Sequence, residues 1–158
     1  MTPLAVLLAM TLAQGNNEMQ QPHTTRSINH YDVDVPAGFV ITDRSPRRAD
    51  FDLYEVSGGS SGAKLQLYFG NHPRFPTYKW AGAPRAESQD GRSAKEYPYS
   101  PAEKRMEGVL TFSGLSYKAT PHSPYTQIHY FATDVDPSTA RIFADIVRSI
   151  RVARAHLD

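Results

Sequence analysis

The chain has 158 residues, with 17 Lys and Arg against 16 Asp and Glu, six histidines and no cysteine. A formal net charge of +1 supplies no overall field to recruit nucleic acid or an anionic membrane. The missing cysteines exclude disulfides, thiolate-held zinc and a lipid-modified N-terminal cysteine, and the length suits one domain that buries its own core.

Residues 1–13, MTPLAVLLAMTLA, form a short apolar run with small residues at Ala9, Thr11 and Ala13, followed at once by polar Gln14-Gly15-Asn16-Asn17. The run is too short for a bilayer, which needs about 20 apolar residues. It reads as a signal peptide with cleavage after Ala13, although no basic residue precedes Leu4. The mature chain is therefore expected to be soluble and periplasmic or secreted. Residues 14–28 are polar and without period, and are expected to be a disordered lead-in. Residues 29–158 are expected to make a single α+β domain.

Tyr31, Val33 and Val35 alternate with Asp32 and Asp34, predicting a half-buried strand that ends at Pro36. Ala37-Gly38 is a turn, 39–42 a second short strand, and 43–50 a solvated loop carrying Pro46 and the Arg47-Arg48 pair. The surest hairpin follows at 51–70, FDLYEVSGGSSGAKLQLYFG, in which alternation places Leu65, Leu67 and Phe69 on one face of the return strand. The glycine-serine stretch 57–62 supplies the positive φ that the reversal needs. It lacks the Gly-Lys-Ser/Thr ending and the following helix of a phosphate-binding loop.

Residues 71–100 hold many prolines and glycines and read mostly as loop. Loops this long are uncommon in compact domains and tend to be functional or disordered, and Phe75, Tyr78 and the single tryptophan, Trp80, argue for order. A strand is expected over 93–97 and a helical turn over 101–106. A hairpin around Ser113-Gly114 is expected to join 109–112 to 115–118, and a strand to follow over 127–132. The sheet thus has five to seven antiparallel strands, and apolar residues on both faces of the later ones imply cover on part of both sides.

The closing helix is the clearest one. Asp136 is an N-cap, Pro137 suits the first helical position, and Ile142, Phe143, Ile146, Val147 and Ile150 recur at three- and four-residue spacing. Arg141, Asp145, Arg148 and Arg151 fall on the opposite arc, as a solvated face.

An opening strand ending Val35-Pro36-Ala37-Gly38-Phe39, a central hairpin, and a closing strand plus helix ending Ile146-Val147-Arg148-Ser149-Ile150-Arg151 resemble the PsbP/Mog1-like group of small domains. The likeness spans residues 31–152 in layout. It implies an α+β sandwich with a C-terminal helix on an antiparallel sheet. It also implies roles in assembly, docking or immunity-type binding more than a single reaction. The insertion at 71–100 departs from that pattern.

Chemical motifs are sparse. The histidines lack His-x-x-x-His spacing, and no cofactor motif is present. His122-Ser123 beside His129 and Asp134 brings hydrolase residue types together in sequence, without the Gly-x-Ser-x-Gly elbow. Asp32, Asp34, Asp43, Asp50 and Asp52 admit a paired-acid reading, set against an ordinary wet sheet face. The loop Arg74-Phe75-Pro76-Thr77-Tyr78-Lys79-Trp80 carries the residue types of protein-binding hot spots, or else aromatic plugs for the end of the core. The preferred expectation is an exported, non-enzymatic domain that binds another envelope or secreted protein through 71–85. Its contact residues are Asn71, His72, Arg74, Phe75, Tyr78, Lys79, Trp80 and Arg85, with no metal or cofactor. The alternatives are a small extracytoplasmic hydrolase using His72, His122 or His129, and an immunity or inhibitor protein against a secreted toxin.

Overall fold

The computed structural model describes residues 22–71, 73–113 and 125–153. Its strands are β1 (His23–Ile28), β2 (Tyr31–Pro36), β3 (Phe39–Asp43), β4 (Asp52–Gly58), β5 (Lys64–Phe69), β6 (Arg85–Gln89), β7 (Arg92–Ser100), β8 (Arg105–Phe112), β9 (Gln127–Ala132) and β10 (Arg151–Val152), with one helix, α1 (Pro137–Ser149). Seven strands form an antiparallel sheet in the order β3-β4-β5-β9-β8-β7-β6, and β1-β2-β10 form a small second sheet. The protein is α+β, with a mostly antiparallel framework and a C-terminal helix. Among the described residues no helix is long and apolar enough to cross a membrane.

The central hairpin forms because β4 and β5 each place apolar residues on one side. Val56 pairs with Leu65 and Tyr54 with Leu67, and Val56, Leu65, Leu67 and Phe69 have no solvent exposure. Positive φ at Gly59 and Gly62 closes the turn, and Ser57 pairs with Lys64. Leu67 pairs with Tyr130 and Gly108 with Tyr130, so the apolar stripe continues across β9 into β8.

That stripe is covered by α1 and β2. Asp136 caps the helix, its side chain accepting from the Ser138 and Thr139 amides, with Pro137 at the first position. Phe143, Ile146, Val147 and Ile150 are buried, whereas Ile142 is half-buried at the edge of the stripe. Arg141, Asp145, Arg148 and Arg151 are exposed. β2 lies beside the helix, where the Ser149 hydroxyl accepts from the Asp34 amide at 2.9 Å. Tyr31 packs its ring 4.9 Å from that of Phe112 and 5.7 Å from that of Phe69.

Three expectations are corrected. Residues 23–28 of the expected lead-in form β1, which pairs along its full length with β2. It is held by polar cross-strand bonds, Thr25 to Asp34 and Ser27 to Asp32, both 2.7 Å, and such a strand has no apolar period. Of the stretch 71–100, residues 73–84 are loop, and β6 and β7, the latter containing the strand expected over 93–97, form a hairpin around Asp90-Gly91, both at positive φ. Residues 101–104 are a turn and Arg105 already belongs to β8, so 101–106 makes no helical turn. β8 pairs with β7 and β9. The expected strand over 115–118 lies outside the described residues.

Candidate functional site

On the sheet face turned away from α1, the register stacks side chains in rows across the strands. Tyr97, Glu107 and Phe131 make one row, Lys95, Val109 and His129 the next. Glu107 in this setting is a carboxyl with no solvent exposure, and His129 is 4% exposed. A charge buried this deeply is stable only when its oxygens are fully bonded, and the segment 71–84 supplies the bonds.

The Thr77 amide donates to Glu107 Oε1 at 2.5 Å and the Tyr78 amide to Oε2 at 3.4 Å. The Trp80 indole N–H donates to Oε2 at 2.7 Å, and His129 Nε2 lies 2.9 Å from Oε1. Burial pushes the Glu107 carboxyl up, but the bonds from Thr77, Trp80 and His129 outweigh it and hold the group below the usual range. Burial pushes the His129 imidazole down, and its bond to Glu107 offsets only part of that shift. The two directions agree on one state, an ionised Glu107 accepting from the Nε2–H of a neutral His129.

The aromatic residues of the loop complete the clamp. Phe75 lies edge-on to His129 with centroids 5.9 Å apart and 5.8 Å from the Tyr97 ring. Trp80 stacks parallel on Tyr97 at 4.8 Å, and the Arg105 guanidinium sits 4.6 Å from its ring centroid and 5.1 Å from that of Tyr78. Arg105 also donates to the Lys79 carbonyl at 2.7 Å. Phe75, Tyr78 and Trp80 are half-buried, while Asn71, Arg74, Lys79 and Arg85 are exposed. The loop aromatics therefore fasten the segment to the sheet, and its cations project from it. None of Arg74, Lys79 and Arg85 is paired with a carboxylate among the described residues. His72 and His122 lie outside the described residues.

Among the described residues no serine or threonine hydroxyl bonds to His129, whose imidazole lies against Glu107, Phe75 and Phe131, all side chains of the packed face. No three His, Asp or Glu residues gather as a metal-binding group among those described. The strand carboxylates have local duties: Asp34 accepts from Thr25 and Arg151, Asp32 from Ser27, and Asp43 from the Ser45 amide.

Two clefts flank this core. One, of about 790 Å³, runs between the loop and the β6–β7 hairpin on the same face as Glu107. The other, of about 1310 Å³, lies between α1 and that hairpin on the opposite face. In the second, the Tyr130 hydroxyl donates to Glu96 Oε2 at 2.6 Å. A side chain at Gly108 would overlap the Tyr130 hydroxyl, so the glycine makes room for this bond. Arg92 ties the hairpin to the helix end, donating to the Val147 and Arg148 carbonyls at 3.1 and 3.3 Å, a favourable place for a cation.

Glu107 and Tyr97 were not among the residues singled out from sequence, since a lone glutamate in a strand pattern gives no sign of burial. The one available signal is that Glu107 stands among apolar residues at Met106, Val109 and Leu110. No family model, no curated protein and no solved structure matches the chain.

Proposed function

We propose that the protein is an exported, non-enzymatic binding domain whose 71–85 segment is a pre-shaped contact surface for another protein. The observation that carries this reading is the Glu107 clamp. A buried carboxylate accepting from three donors of one loop fixes that loop in a single arrangement before any partner arrives, and a surface ordered in advance loses less entropy on binding. The exposed cations of the loop are Arg74 and Lys79, which favour an acidic partner surface and steer its approach, whereas Arg85 opens β6 opposite Glu96 and borders the cleft toward α1. Phe75, Tyr78 and Trp80 act mainly as the scaffold beneath them.

The test uses the mature chain, tagged and carrying a photo-crosslinker at Thr77, or at Arg47 in the loop between β3 and β4 as control, in its native envelope fraction. A discrete crosslinked protein is expected from Thr77 only. The Arg74→Glu, Lys79→Glu double variant should lose that product without a change in denaturation midpoint. Equal crosslinking from both positions, or full retention by the double variant, would sink the proposal.

A further inference from the structure

Beyond the loop, the same sheet face carries a third row. Ser88 pairs with Ser93, Ser93 with Thr111 and Thr111 with Gln127, so four strands place one hydrogen-bonding side chain each on a straight line across β6, β7, β8 and β9. The interval is the strand separation, about 4.8 Å. These residues line the cleft of about 790 Å³, together with Asn71, Phe75 and Lys95.

The row is chemically unusual because none of its members is used by the fold. The side chains of Ser88, Ser93, Thr111 and Gln127, and of Asn71 and Lys95 beside them, have no hydrogen-bond or ion-pair partner among the described residues, whereas Glu107, two rows away on the same face, is saturated. Ser88, Asn71 and Lys95 are exposed, and Ser93, Thr111 and Gln127 half-buried. Hydroxyls and amides both donate and accept. Lys95 is the cation on this face of the cleft. Glu87, its acid, belongs to the opposite face of β6, across from Ala94. Phe75 forms an apolar wall.

We infer that this cleft binds an extended saccharide bearing carboxylates. A sugar chain offers hydroxyls along its edges for the row and an aliphatic ring face for Phe75. Neutral donors and acceptors meet hydroxyls at little desolvation cost, and Lys95 takes a carboxylate by a charge-assisted bond. An acidic peptide would use Lys95 and pair with the row through its backbone, but has no aliphatic ring face to lay on Phe75.

The experiment is titration of the whole mature domain, followed by backbone amide NMR, with tri-galacturonic acid, maltotriose and tri-glutamate. Binding is expected in the order tri-galacturonate, maltotriose, tri-glutamate, with shifts centred on Ser93, Thr111 and Gln127. Thr111→Val, which keeps the side-chain shape, should weaken both sugars about tenfold, or about 1.4 kcal/mol. Lys95→Ala should weaken only the charged one. The Arg74→Glu, Lys79→Glu variant should bind maltotriose, which carries no charge, as the parent does, so failure here is distinct from failure of the loop contact. No shift with either sugar, indifference to Thr111→Val in a folded variant, or tri-glutamate binding as well as tri-galacturonate would each overturn the inference.

Discussion

The two faces of the seven-stranded sheet are closed by opposite means. On one face α1 and β2 bury Phe143, Ile146, Tyr31 and Val33 against Leu65, Leu67, Leu110 and Ile128, all nearly or fully inaccessible. The stabilising quantity there is apolar area, about 25 cal/mol per Å² removed from water, and it asks for periodicity without exact partners. On the other face a proline-rich loop has no apolar stripe to offer, and is fastened through one carboxylate, an indole N–H, two amides and a neutral imidazole. Removing one polar partner there strands the others in a dry place. The long loop is held on the sheet by a charge at a position that three of its donors reach.

The largest expected effect is on the helix face. Ile146→Ala should lower stability by about 2 to 5 kcal/mol in chemical denaturation, by a similar amount at neutral pH in low and high salt. A strong salt dependence would break the contrast between the faces. Glu107→Gln should cost about 3 kcal/mol, because the amide accepts at one atom only and turns a second donor toward the loop's donors. Its signature is local: protection of the Thr77 and Tyr78 amides against hydrogen exchange should collapse, while that of α1 follows the global stability. Protection of Thr77 and Tyr78 that stayed equal to that of α1 would show that the rings, not the carboxylate, hold the loop.

Trp80→Phe sharpens the same point, since it keeps a ring for Tyr97 and Arg105 but deletes the donor to Glu107. We expect a loss of about 1.5 to 3 kcal/mol, the range for a bond to a charged group. A loss near zero would reassign the anchoring to stacking alone.

The smallest effect is in acid. His129 and Glu107 both have depressed pKa values when folded, so as pH falls the unfolded chain binds protons before the folded one does. The His129 contribution is present above its ordinary value of 6.5 and is lost as pH falls from there through the folded value. The Glu107 contribution follows below its ordinary 4.5. His129→Gln should therefore flatten the dependence of the denaturation midpoint on pH as pH falls below 6.5, relative to the parent. Parallel curves for the two proteins would mean that folding leaves the proton affinity of the His129 imidazole unchanged.

Residues 51–70 and 136–150 were legible from sequence because each obeys a local rule. Period-2 alternation with a glycine turn specifies a hairpin, and a capped apolar stripe at three- and four-residue spacing specifies α1, whatever they later pack against. β1 and β6 were not legible in the same way, and of β7 only 93–97 was read as a strand. HTTRSI, RAESQ and RSAKEYPYS have polar residues on both faces, and Pro98 falls where the β7–β8 register shifts. The Asp90-Gly91 dipeptide was the available hairpin signal, and Asn29-His30 between Ile28 and Tyr31 was a weaker one. The loop's aromatics were visible as a group, and their division between plug and contact was not. By itself the sequence determined the hairpin, the capped helix and the α+β class, since those follow from side-chain periodicity along neighbouring residues. Tertiary structure alone decided that Glu107 lies under Thr77 and Trp80 and that Ser88, Ser93, Thr111 and Gln127 fall in line. Strand register joins residues far apart in the chain, and no local pattern encodes which of them will meet.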